Sequence, residues 1–123
     1  MASAGNWFSE EGRAFNLRTV NWTADEAAYT AKTGRPADDF IIDRVIRVTT
    51  TASGYDKTIT LPNGVYYGQE CLVILEVLGD DETLDVSTTT GDDATQMTGA
   101  GGYSNLMWMG STLGWVEMDQ EAT

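Results

Sequence analysis

The sequence predicts a mainly β protein: a single small β-sandwich or barrel with an extended N-terminal arm that contains one short helix. Three observations carry this. From Phe40 onward the chain is rich in branched and aromatic residues in runs of five to ten, the composition that suits a pleated, half-buried surface. Those runs are punctuated at short intervals by Gly, Asp and Pro-Asn-Gly clusters, as in sandwiches and barrels. Residues 1–39 lack that pattern and scatter Trp7, Phe8, Phe15, Trp22 and Tyr29 among Gly, Arg and Asn. The predicted boundary therefore divides an arm, 1–39, from a β domain, 40–123.

Within the arm, Thr23-Ala24-Asp25-Glu26 matches a capping box, with the Thr hydroxyl and Glu carboxylate each meeting a free backbone amide of the first turn. Ala27, Ala28 and Ala31 follow, Lys32 would sit in the last turn, and Gly34 and Pro36 would end the element. The spacing predicts a helix over about 24–32.

In the β domain, Phe40 to Thr51 reads as the first strand and Lys57 to Leu61 as the next, with Ile59 and Leu61 inward. Glu70 to Leu78 is apolar on both faces and should be the central strand. Gly79-Asp80-Asp81-Glu82 reads as a tight hairpin turn into Thr83–Ser87, and Gly91-Asp92-Asp93 as another before a short strand near Thr95–Thr98. Tyr103–Met109 and Thr112–Met118 form a closing pair around Gly110-Ser111, with Trp108 and Trp115 in its core. No internal repeat is visible.

Composition bounds the chemistry. The chain of 123 residues is long enough to bury a core without disulfides or a structural metal. It contains no His, which removes the usual triads and the commonest zinc ligand. Its one Cys, Cys71, lies in an apolar run and reads as a small buried hydrophobe. Lys32 and Lys57 read as a helix end and an exposed strand start, and no glycine-rich loop carries a phosphate-binding Lys. The clustered acids fit wet turns and no EF-hand spacing. The expectation is a binding protein rather than an enzyme, with no cofactor, no metal and no catalytic residues. A glycosidase built on acids such as Asp80 and Asp92 is the distant alternative.

Net charge is −12, and its distribution matters more than its total. All seven Lys and Arg lie at or before Lys57, together with eight acids, whereas Thr58 to Thr123 carries eleven acids and no base. Such a surface repels phosphate backbones, so nucleic acid is an unsuitable partner. No apolar run approaches the ~18–20 residues of a membrane span, so no membrane partner is expected either. The first residues lack the basic start and apolar centre of a signal peptide, which predicts a protein made and kept in a cytoplasm, or leaving it by lysis or by assembly into a particle.

Interface anchors are enriched in Trp, Tyr and Arg. The arm residues Trp7, Phe8, Arg13, Phe15, Arg18 and Trp22 are accordingly the expected protein-contact set. A competing arrangement would gather Tyr66, Tyr67, Tyr103 and Trp108 around the glycine loop 99–102 as a sugar-stacking surface.

The progression Thr58-Ile59-Thr60-Leu61-Pro62, Gly68-Gln69-Glu70, a long β run and a final Gly114-Trp115 ending near Asp119 resembles small β-structured virion proteins of tailed viruses. The resemblance covers roughly residues 45–118 and does not extend to residues 1–44. It implies a capsid decoration (cement) protein, commonly a homotrimer, bound to the major capsid protein on the virion surface. A tail-fibre or receptor- and carbohydrate-binding module is the alternative it leaves open.

Overall fold

The computed structural model describes residues 15–24, 28–50, 56–79 and 83–122. The fold is mainly β, as the sequence predicts, and consists of two sheets around one core. The larger sheet orders its strands β1 (Asn16–Ala24), β3 (Ile41–Thr50), β5 (Glu70–Val77), β7 (Tyr103–Trp108) and β8 (Trp115–Glu121). The smaller sheet is β2 (Ala28–Thr30), β4 (Lys57–Leu61) and β6 (Leu84–Thr88).

The path of the chain is the distinctive feature. Through β6 it alternates between the sheets, and each strand pairs in parallel with the strand one coil earlier. Trp22 thus lies beside Val48, Val45 beside Leu72, and Ile59 beside Val86. Three coils are wound this way before β7 and β8 close the larger sheet as an antiparallel pair. The repeat is in the backbone only, since successive coils share little sequence.

Inward residues follow the period-2 rule. Ile46 and Val48, Val73 and Leu75, and Leu106 from the larger sheet meet Ile59 and Leu61, Leu84 and Val86 from the smaller one. β5 holds the middle of the five strands, and its outward Leu72 and Ile74 are half-buried, so its two-faced apolar reading is correct. Cys71, Trp108 and Trp115 all lie in the core, the indoles edge-to-face with centroids 5.5 Å apart.

Four expectations need correction. The helix over 24–32 is not formed: β1 runs to Ala24, β2 occupies Ala28–Thr30, and Ala31 donates its N–H to the Thr60 carbonyl at 2.9 Å. Tyr29, Ala31 and Thr33 turn inward while Ala28 and Thr30 are exposed, a period of two. The ladder to β4 outweighs a local capping signal, and Pro36 begins a 3₁₀ turn (Pro36–Asp38) instead of ending a helix. Residues 15–39 are likewise no arm, because β1 and β2 are full members of the two sheets. The turns at 79–82 and 91–93 do not make hairpins: β5 and β6 belong to different sheets, and residues 80–82 lie outside the described set. Finally, Lys57 is buried at an inward position of β4, not exposed.

Candidate interaction surface

The coil sorts its turns onto two rims. β1, β3 and β5 run parallel, so the passages from the smaller sheet to the larger reach the same rim, and the antiparallel β7 returns its end there. This brings together Phe15 before β1, Phe40 before β3, Tyr66 and Tyr67 before β5, and a one-turn helix α1 (Gly110–Leu113) after β7. The Phe15 ring lies 6.3 Å from Phe40 and 5.7 Å from Tyr66, centroid to centroid. Tyr67 is 72% exposed and Leu113 61%. The Tyr67 ring lies beside Gly110, where an added Cβ would approach it to 3.8 Å. Large apolar groups held this openly, on a rigid support, are what protein contacts use.

Local backbone chemistry positions them. Gln69 is buried; its Oε1 accepts from the Val65 N–H at 2.7 Å and its Nε2 donates to the Thr33 carbonyl at 3.1 Å. It thereby ties the loop carrying Tyr66 and Tyr67 to the preceding coil. Asp39 and Phe40 both adopt positive φ, 57° and 58°, which is uncommon for residues with side chains. Around the rim, Arg44 pairs with Glu70 at 2.7 Å and Arg35 with Asp38 at 3.6 Å, while Asp39 is exposed. Burial pushes the Tyr66 phenol up, with Glu70 adding and Arg44 opposing.

The expected contact residues separate. Phe15 is on the rim. Arg18 is committed to a partner within the chain, although its side chain stays 38% exposed: its Nε donates to the buried Asp43 Oδ1 at 2.5 Å, and the Tyr29 hydroxyl donates to Asp43 Oδ2 at 2.6 Å. The Lys32 N–H completes the carboxylate's shell at 2.9 Å. A bulge makes this possible. Arg18 pairs with Asp43 but Thr19 with Val45, so Arg44 is an extra residue in β3. The extra residue lets Asp43 face inward below it while Ile46 and Val48 face inward above it. Trp22 is 8% exposed and lies 5.5 Å from the Tyr29 ring, so it is core rather than an anchor. Trp7, Phe8 and Arg13 lie outside the described residues.

The sugar-stacking arrangement is not assembled. Tyr66 and Tyr67 lie on the aromatic rim, Trp108 is 5% exposed in the core, and Tyr103 begins β7 at the opposite rim, donating to Asp119 at 3.1 Å. Phe40 and Leu113 are the rim residues that sequence reasoning missed. No spacing rule connects them, because only the coil brings residues 15, 40, 66 and 113 to one side.

Among the described residues no group of three or more acids, Cys or His converges to hold a metal ion, and no helix is long and apolar enough to cross a membrane. The residues of the virion-like motif turn out to be scaffold. Trp115 donates its indole N–H to the Pro62 carbonyl at 2.8 Å, Gly68 N–H donates to the Trp108 carbonyl at 2.8 Å, and Gly114 lies against the Thr90 carbonyl. Compared with protein-family models and with curated proteins, the chain finds no match.

Proposed function

We propose that this protein is a virion structural subunit of the capsid-decoration type, which binds the major capsid protein through its aromatic rim. The observation that carries the reading is the cluster of half-buried Phe15, Phe40 and Tyr66 with exposed Tyr67 and Leu113, on a rim that carries the ion pairs Arg44–Glu70 and Arg35–Asp38. The chain enters the fold at Phe15, so the segment carrying Trp7, Phe8 and Arg13 joins the body at this same rim. Trp7, Phe8 and Arg13 remain the expected contact residues of that segment. The stretch from Thr58 onward carries eleven acids and no base, a charge that keeps particles apart.

The test is co-sedimentation with purified capsids lacking the protein. Tyr67→Ser combined with Leu113→Ser should weaken capsid binding at least tenfold (about 1.4 kcal/mol) with an unchanged circular dichroism spectrum. Deleting residues 1–14, which spares β1, should weaken it as well. If both variants decorate particles like the parent chain, the reading is wrong.

A further inference from the structure

The two ends of the coil are finished differently. At the last coil, residues 90–98 run across the edges of both sheets. Leu84 and Met97 exchange backbone hydrogen bonds at 3.0 and 2.9 Å, Ala94 N–H donates to Val86, Asp92 N–H donates to Trp115, and Thr98 N–H donates to Ala122. At the first coil, β1 is an edge of nine residues, and among the described residues no backbone group bonds its outer side. Natural edges are usually guarded by charge, Pro or a bulge of their own. β1 has no Pro and no bulge of its own, and its one guard of this kind is Arg18, the strand's single charged residue, which turns inward to Asp43.

We propose that β1 is a self-association edge, at which a second copy adds its own β1 antiparallel across a two-fold axis. The register follows from the strand. Asn16 donates its N–H to the Phe40 carbonyl, so alternation turns the amides and carbonyls of Leu17, Thr19, Asn21 and Thr23 toward the open side. Full overlap of Asn16–Ala24 with its copy centres the axis on Val20. That register sets Leu17 opposite Thr23 and Thr19 opposite Asn21 in both directions, giving about eight interchain hydrogen bonds from the hydrogen-bonded pairs.

Charge selects this occupant and this edge. Every base of the chain lies at or before Lys57, in the first two coils or in the segment ahead of them, and the acid-only stretch begins at Thr58. Joining two copies at β1 leaves two strand spacings of the larger sheet between β1 and β5, whose Glu70 and Glu76 are the first acids of that stretch (about 10 Å), beyond the ~8 Å screening length. Contact through any later coil would oppose acids with acids. A strand edge covers less area than a standard interface, so the association is weak and concentration-dependent. The inference is independent of capsid binding.

The test is sedimentation equilibrium of the full chain from about 10 µM to 1 mM, the range expected of a small interface. Mass should rise from one copy toward two. Asn21→Pro removes an outward amide at an edge position that tolerates Pro and should hold the chain at one copy with its spectrum retained; Asn21→Thr should not. Val20→Cys places two thiols across a non-hydrogen-bonded pair, within disulfide reach. Copper–phenanthroline oxidation should therefore link dimers through residue 20 even if the Pro variant fails to fold. A parent chain that stays at one copy, or that forms trimers, overturns the proposal. So does a folded Asn21→Pro variant that still dimerises, or a Val20→Cys chain that does not cross-link.

Discussion

The indole N–H of Trp115 donates to the carbonyl of Pro62 at 2.8 Å, and both groups are buried. This bond joins the start of β8 to the end of β4 and so locks the larger sheet onto the smaller. Trp115→Phe keeps a ring but orphans the Pro62 oxygen and leaves a gap beside Trp108. The combined loss should be about 2–4 kcal/mol, measured as a lower urea midpoint at unchanged slope.

The residue before that Trp is equally constrained. Gly114 has φ of 73°, and a Cβ there would sit well inside contact distance of the Thr90 carbonyl. Gly114→Ala should therefore destabilise by more than the ~1 kcal/mol of a simple positive-φ penalty. A drop in melting temperature of only a degree or two would show that residues 90–92 yield easily.

Asp39 offers the opposite case. It is exposed and holds φ of 57°, a conformation glycine adopts without steric cost. Asp39→Gly should leave the fold intact and change stability by about +0.5–1 kcal/mol in its favour. Urea unfolding of the single variant decides it.

Alkaline pH should unfold the protein in a defined order. Burial, and then the Asp43 charge, push the Cys71 thiol up from 9.0 to about 12, with Arg44 opposing. Burial, then the hydrogen bond to Asp43, push the Tyr29 phenol up from 10.0. Both are held neutral in the fold, while the unfolded chain releases their protons at ordinary values. Stability is thus full below about pH 9 and falls as pH rises through the folded values, by up to about 1.4 kcal/mol per pH unit for each group. In Cys71→Ala the decline should begin about one unit later, near pH 10, where Tyr29 starts to contribute. Urea midpoints from pH 8 to 11 would check this.

The strands were legible because Phe40–Thr51, Lys57–Leu61 and Glu70–Leu78 each pack one or both faces, and side-chain alternation records that directly. Their pairing was not. Period two is the same for parallel and antiparallel neighbours, so Gly79-Asp80-Asp81-Glu82 reads as a hairpin although the flanking strands lie in different sheets. Thr23 and Glu26 showed a helix start because a capping box is local, whereas the bond from Ala31 to Thr60 is not. Of the expected contact residues, Phe15 reached the surface and Trp22 the core. A Trp without periodic neighbours gives no sign of which it will be.

The winding of the chain also bears on how such a protein could change in length. Through β6 each strand is registered on the strand one turn earlier, and the antiparallel pair β7–β8 closes on the last turn of the larger sheet, β5. Adding or removing one whole turn would preserve the register of every remaining ladder. An odd insertion within a strand would instead shift inward residues outward. Growth by complete turns is therefore the route open to this architecture, and each added turn would lengthen the larger sheet and its rim by one strand spacing.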